Sequence, residues 1–212
     1  MQRMKILQLL QQAGVIAVVR GNSKAEALTA CRALIEGGIT GIEVTLTVPE
    51  AEAVIRELKQ EYAENQEVVI GAGTVLQAAS AERMLMAGAA FIVSPAFDQA
   101  TAELCNLYQI PYLPGCATIT EMQQALKSGA EVIKLFPGSS AGPKMIQAVK
   151  GPLPQVNLMP TGGVSLDNLA DWQAAGAVMV GVGGHLLSGS PQQISQTAAQ
   201  YKQCWSELVK NE

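Results

Sequence analysis

Three ionisable side chains stand in segments that are otherwise apolar: Arg20 closing VIAVVR, Glu43 within GIEVT and Lys134 within VIKLF. A lysine held in apolar surroundings near a second cation is driven toward its neutral amine, which is a nucleophile. Such an amine can condense with a ketone to a Schiff base while a carboxyl such as Glu43 moves the protons. Each residue alone has a plainer account. Arg20 and Lys134 could be strand-end charges reaching for water, and Glu43 could be their ion-pair partner. Three charges aimed at one place would have to be desolvated together, which points to use rather than packing. Two glycine pairs add a second theme. Gly162-Gly163 comes before a helix start at Ser165, and Gly183-Gly184 comes before His185-Leu186-Leu187. Backbone N–H groups at a helix start bind anions, so finding both pairs favours a phosphate ester over two tight turns.

Other reactive residue types carry less. Cys116 follows Pro114-Gly115 with no base nearby in sequence, and reads as a small packing residue. His185 is an ordinary helix-start residue, and Trp172 and Trp205 fall on helical segments as packing groups. With 1 histidine in 212 residues, a multi-histidine zinc site and a helical HExxH motif are excluded. The 4 cysteines form no CxxC pair and are too sparse for a disulfide scaffold. The acids Glu50, Glu52 and Glu57 lie on a helical stretch and read as a solvated face, so no metal is expected. A net charge of −4 without a run of Lys or Arg argues against nucleic acid or an anionic membrane as partner. The opening MQRMKILQLLQQAG lacks a secretory cleavage pattern, and no apolar stretch approaches the roughly 20 residues of a membrane span. A soluble, cytoplasmic, reduced protein is expected.

The elements that must position these residues are short and evenly placed. Strands are predicted at 15–19, 42–45, 67–70, 90–93, 111–113, 131–134, 156–159 and 177–181. Amphipathic stretches of helical length lie between them, among them 24–36, 50–62, 78–87 and 139–149. Strand starts recur at about 23 residues, the length of one strand–loop–helix–loop unit. Gly37-Gly38, Gly88, Gly129 and Gly176 sit where helices stop. Eight strands alternating with helices allow a closed (β/α)8 barrel or an open doubly wound sheet. The first strand is followed by Gly21-Asn22-Ser23 rather than GxGxxG, and strand count and evenness favour the barrel. One domain over 1–212 is expected, with 1–12 as an extra helix across the barrel bottom and 192–208 as a closing helix. Barrel chemistry gathers at the carboxyl ends of the strands. Those ends deliver Arg20, Glu43, Gly71-Ala72-Gly73-Thr74, Ser94-Pro95, Pro114-Gly115-Cys116, Lys134, Thr161-Gly162-Gly163 and Gly183-Gly184.

These segments resemble the class I 2-keto-3-deoxy-6-phosphogluconate (KDPG) and 4-hydroxy-2-oxoglutarate (KHG) aldolases. The resemblance spans 14–187 and rests on AVVRG (17–21), GGITGIEVTL (37–46), GAGTVL (71–76), PGCAT (114–118), IKLFP (133–137) and PTGGV (160–164). It implies a (β/α)8 barrel, a homotrimer, and no metal or other cofactor. It also implies cleavage of KDPG to pyruvate and glyceraldehyde 3-phosphate, and of KHG to pyruvate and glyoxylate. Lys134 would form the Schiff base and Glu43 would serve as acid–base. Thr74 would hold the pyruvoyl carboxylate, Pro95 and Phe136 would line the site, and Arg20 would bind substrate. Gly162, Gly163, Gly183 and Gly184 would line the phosphate end.

Two positions depart from the family pattern. Thr47 stands where some members carry arginine, which leaves Arg20 as the cationic contact for the carboxylate, and Gly184 stands where some carry serine. VVRG, PGCAT and SSAGP also resemble the sister aldolase acting on the galactonate epimer, whereas Thr161 resembles the gluconate branch, its hydroxyl a candidate partner for the substrate's C4 oxygen. The same electron sink could decarboxylate oxaloacetate. Two rival functions remain open: another phosphate-binding barrel, such as an epimerase or indole-forming synthase, and a silent barrel that only binds a phosphorylated metabolite.

Overall fold

The structure, a computed structural model, describes residues 1–210; the last two positions of the expected 1–212 domain lie outside the described residues. The first half runs α1 (Gln2–Ala13), β1 (Val15–Val19), α2 (Lys24–Glu36), β2 (Gly41–Thr45), α3 (Ala51–Glu61), β3 (Val69–Gly73) and α4 (Ala78–Ala87). The middle comprises β4 (Ile92–Val93), α5 (Gln99–Tyr108), β5 (Tyr112–Leu113), β6 (Gly115–Cys116), α6 (Ile119–Lys127) and β7 (Ile133–Leu135). Then follow α7 (Gly138–Ala141), α8 (Pro143–Lys150), β8 (Leu158–Pro160), α9 (Leu169–Ala174), β9 (Val180–Val182) and α10 (Pro191–Lys210). Short 3-10 turns, Leu166–Asn168 and Gly184–Leu187, stand in the loops after β8 and β9.

This is a parallel α/β fold, with one six-stranded sheet in the order β5-β4-β3-β2-β1-β9 and one three-stranded sheet in the order β6-β7-β8. Only Pro114 separates β5 from β6, and a proline has no N–H to give a ladder. Beyond the ladders, Thr161 bridges Gly181 in parallel, and the Val178 N–H donates to the Leu158 carbonyl at 3.1 Å. No helix among the described residues is long and apolar enough to cross a membrane.

Local chemistry accounts for the element ends. The Ser23 side chain caps α2 by accepting from the Glu26 N–H, and Asp98 caps α5 by accepting from Thr101. Thr118 and Glu121 form a reciprocal capping box at α6. The segment expected as one helix over 139–149 is two, because Gly142 takes φ 68 and Pro143 starts a new helix at its first position. The final helix runs longer than the expected 192–208.

Several strands begin later than expected. The hydrogen-bonded ladders start at Val69, Ile92, Tyr112, Ile133, Leu158 and Val180, although Ala130, Val132, Val156 and Ala177 upstream are already buried. Apolar character marks burial, and the ladder starts only where a neighbouring strand offers partners. β3 also continues through Gly71 and Gly73, which were expected in the following loop. Inner neighbours occupy the space their side chains would fill: a Cβ on Gly71 would run into the Phe91 ring.

The register sets which residues share a face. Val18 lies beside Glu43 and Glu43 beside Gly71; Gly115 lies beside Lys134 and Lys134 beside Met159. Paired residues of parallel strands point the same way, so Glu43 and Lys134 each stand on the inner face of their own sheet. The opposite face packs on helices through fully buried residues such as Ala17, Val19, Ile42, Val44, Leu34 and Ile55. Burying each large aliphatic side chain contributes about 1.5–3 kcal/mol. The amino-terminal helix forms as expected and packs against β1, β2 and β3, with Ile6, Leu10 and Ala13 buried. Arg3 ties it down through Asn106 (2.6 Å), the Gly129 carbonyl (2.7 Å) and Glu131 (2.7 Å).

Candidate active site

Lys134 leaves the middle of β7 and Glu43 the middle of β2, and the two side chains meet with Nζ 3.5 Å from Oε1. Both are buried, at 4% and 0% exposure. The Glu43 carboxylate lies where a Cβ on Gly73 would otherwise sit, so a glycine at the end of β3 makes its slot. Its second oxygen, Oε2, is buried without a hydrogen-bond partner, an unusual state for a carboxylate inside a protein. The ring of Phe136 lies two residues beyond the lysine, with its centroid 5.2 Å from Nζ. A buried amine beside a partly unsatisfied carboxylate can exchange protons with that partner and with anything placed between them.

The third expected charge does not join them. Arg20 shares the face of Val18 and Glu43 by alternation, but it is exposed, and no hydrogen bond or ion pair involves it among the described residues. The expectation that three charges are desolvated together is therefore corrected. Arg20 stands one residue past the last residue of β1, where water can reach its guanidinium, so Lys134 is held against a carboxylate and not against a second cation. Next to Arg20, the Val19 carbonyl accepts from the buried Thr45 hydroxyl at 2.9 Å, and Thr45 Oγ1 lies 2.7 Å from Thr47 Oγ1. Thr45 has one proton and gives it to Val19, so Thr47 must be the donor in the second contact. Thr47 then keeps acceptor lone pairs only, and Arg20 is left at this end of β1 and β2 as a cation with no partner among the described residues.

Thr74 directly follows β3 with φ 57. Left-handed backbone is strained for a β-branched residue, and such strain collects at functional positions. The residue is fixed from both sides: the Gly73 carbonyl accepts from the Leu46 N–H (2.8 Å), and the Val75 N–H donates to the Val93 carbonyl (3.2 Å). Pro95 is half-buried, and its carbonyl packs where a Cβ on Gly115 would fall. Thr161 is buried with its hydroxyl unpartnered, packed over Gly181.

The glycine pairs behave differently from one another. Gly162 and Gly163 take φ 88 and 75, and a Cβ on Gly162 would lie 3.8 Å from the Phe136 ring. That pair is demanded by its turn, and it sits beside the lysine's aromatic neighbour. Gly183 and Gly184 have no left-handed backbone, and a Cβ on Gly184 would meet nothing within 4 Å. Neither dihedral nor packing requires glycine at 184.

Cys116 alternates away from Gly115 and Lys134, and burial pushes its thiol up to about 12. His185 is exposed, and Trp172 and Trp205 are buried packing groups. Among the described residues no three His, Cys, Asp or Glu side chains gather as a metal site.

Residues 6–201 match the family described as "Aldolase: KDPG and KHG aldolase". The chain belongs to this aldolase family, and so to the carbon–carbon lyases. Among curated relatives, a 2-dehydro-3-deoxy-6-phosphogalactonate aldolase of Escherichia coli (strain K12) is 34% identical over 199 residues, 92% of this chain and 96% of the relative. A 2-dehydro-3-deoxy-phosphogluconate aldolase of Treponema pallidum is 39% identical over 170 residues, 80% of each chain. Among solved structures, the KDPG aldolase of Legionella pneumophila, with pyruvate captured as a covalent carbinolamine, superposes with TM-score 0.79 at 27% identity, covering 94% of this chain and 96% of that one.

Sequence reasoning named Gly73 and Ser94 only as strand-end residues and passed over three arrangements around the Lys134–Glu43 pair. Gly73 makes the Glu43 slot, Thr45 orients Thr47, and Ser94 with Tyr112 fixes the loop after β4. Only the first left a signal in the sequence. Gly71 and Gly73 alternate along a strand beside the one long acid in β2, which leaves the inner face empty there.

Proposed function

We propose that this chain is a class I aldolase that cleaves 2-keto-3-deoxy-6-phosphogluconate to pyruvate and glyceraldehyde 3-phosphate through a Schiff base on Lys134. The observation that carries it is the buried Lys134–Glu43 pair at 3.5 Å with one carboxylate oxygen unpartnered. The amine attacks the C2 ketone, and loss of water from the carbinolamine gives a protonated imine. Glu43 takes the C4 hydroxyl proton, directly or through one water, as the C3–C4 bond breaks. That electron pair flows into the imine to leave an enamine, and the aldehyde departs. Glu43 returns the proton to C3, and hydrolysis frees pyruvate and the lysine. Covalent capture of this kind is supported by the carbinolamine in the Legionella pneumophila relative.

In this scheme Thr74 and Arg20 hold the carboxylate end of the substrate, and Pro95 and Phe136 wall the pyruvoyl group. Gly162, Gly163, Gly183 and Gly184 leave room and backbone donors for the phosphate. The open space at Gly184 supports the last assignment. The unpartnered Thr161 hydroxyl supports a preference for the gluconate epimer, because it is free to bond the C4 oxygen. KHG cleavage and oxaloacetate decarboxylation follow from the same electron sink. We further infer a closed eight-strand (β/α)8 barrel in one domain. It is supported by the single-residue separation of β5 from β6 and by the Thr161–Gly181 bridge between the two sheets.

Borohydride reduction in pyruvate solution, followed by intact-mass measurement and peptide mapping, tests the chemistry. A stable adduct on Lys134, absent from Lys134→Ala, is expected; an unmodified protein refutes it. Comparing cleavage of the two phosphorylated epimers by this chain and by Thr161→Val tests the selector, and equal epimer ratios in both would exclude Thr161.

A further inference from the structure

The loop leaving β4 is fixed by two buried hydroxyls that the lysine chemistry does not use. Ser94 is fully buried, and its Oγ lies 2.5 Å from the Ala96 carbonyl and 2.7 Å from Tyr112 Oη. Tyr112 Oη also accepts from the Asp98 N–H at 3.2 Å and lies 3.3 Å from the Ala96 carbonyl. The protons distribute in one way that uses every short contact. Ser94 donates to Ala96, Tyr112 donates to Ser94, and Asp98 donates to Tyr112. Burial pushes the Tyr112 phenol up to about 12, so it keeps its proton throughout the neutral range. Asp98 is anchored in turn, its carboxylate accepting from the Thr101 N–H (2.8 Å) and hydroxyl (2.6 Å).

Residues 94, 96 and 98 are thus tied down, and Pro95 is presented between them. The Pro95 carbonyl packs against Gly115, closely enough that a Cβ there would collide with it. Gly115 is the register partner of Lys134, and the Lys134 N–H donates to the adjacent Pro114 carbonyl at 2.9 Å. We infer that Ser94 and Tyr112 are positioning residues that hold the Pro95 loop against the strand next to the lysine and so set one wall of the keto-acid site. This rests on the proposed aldolase chemistry. The pair touches neither Lys134 nor Glu43, so it acts on substrate fit and leaves bond cleavage alone.

Tyr112→Phe keeps the ring and removes the hydroxyl that joins Ser94 to Asp98. Where substrate binding must then re-order the loop, the cost of one buried hydrogen bond of ordinary strength is read as about a fivefold rise in KM. The kcat and the pyruvate–borohydride adduct on Lys134 should stay at wild-type level. Ser94→Ala should do the same, and the double variant should do little more than either single one, because both break one network. A KM unchanged in folded Tyr112→Phe overturns the inference, as does a fall in kcat at constant KM. A lower melting temperature with wild-type kinetics would show a structural role only and also overturns it. Should Tyr112→Phe fail to fold, Ser94→Ala decides by the same criteria. Failure of the aldolase chemistry itself is distinguishable, since the wild-type chain would then give no adduct at all.

Discussion

Adding one methyl group at Gly73 should disable proton transfer while sparing covalent capture. The backbone at Gly73 is not left-handed, so alanine fits its dihedrals, but the new Cβ would fall inside the contact distance of Oε1, Cδ and Cγ of Glu43. Contact with three successive atoms of one side chain cannot be relieved by a small rotation, so the group must withdraw by more than about an ångström to reach ordinary contact. Lengthening the Lys134–Glu43 pair from 3.5 Å to about 5 Å weakens its attraction by about 1.4 kcal/mol at an effective dielectric of about 20. The kinetic effect is larger, because a misplaced general base forfeits most of the roughly 10²–10⁴-fold that such a group supplies. Gly73→Ala should therefore lower kcat for aldol cleavage about 100-fold or more, measured by pyruvate release. Pyruvate and borohydride should still label Lys134. Gly71→Ala is the control: its Cβ meets the Phe91 ring, so about 1–3 kcal/mol of stability should be lost with kcat retained. A folded Gly73→Ala enzyme with kcat within about threefold of wild type would refute the assignment of the glycine slot.

Thr74→Gly relieves left-handed backbone at a β-branched residue and should raise the unfolding free energy by about 1 kcal/mol in urea titration, while KM for the keto acid rises. In the native protein at pH 8, iodoacetamide should label the half-buried Cys204 and spare Cys31, Cys105 and Cys116, whose thiols burial pushes up to about 12; peptide mapping checks it. Glu121→Ala removes the α6 capping box and should cost about 1 kcal/mol in a neutral-pH melt. The Ala117 N–H and the Thr118 side chain hold the Glu121 carboxyl below its ordinary range, so its contribution is present above that range and disappears as acid protonates it. The melting difference between wild type and Glu121→Ala should accordingly shrink below the ordinary carboxylate range.

Much of the site could be read from the chain because alternation in a strand is a strong constraint. A charge between two apolar neighbours, as in Ile42-Glu43-Val44 and Ile133-Lys134-Leu135, must face the other way from both. The same rule put Arg20 in step with Val18, and β1 does end at Val19 as expected, but alternation carries no information about exposure past the last ladder residue, where Arg20 meets solvent. Strand starts were blurred because hydrophobicity reports burial, as at Val156 and Ala177, and not the ladder. The pairing of Ser94 with Tyr112 escaped notice because nothing local links them; their contact depends on neighbouring parallel strands bringing residues 18 positions apart together.

The anchoring of the amino-terminal helix has a practical corollary. The Trp205 indole lies against Gly14, and Lys202 reaches the Gln12 carbonyl at 3.3 Å, while Arg3 anchors the opening helix beside the turn into β7. Both ends of the described chain therefore lie on the side of the sheets remote from Lys134 and Glu43. Affinity tags, fluorophores or surface tethers attached at either end leave the approach of metabolites clear, so immobilisation and fusion should cost this catalyst little turnover.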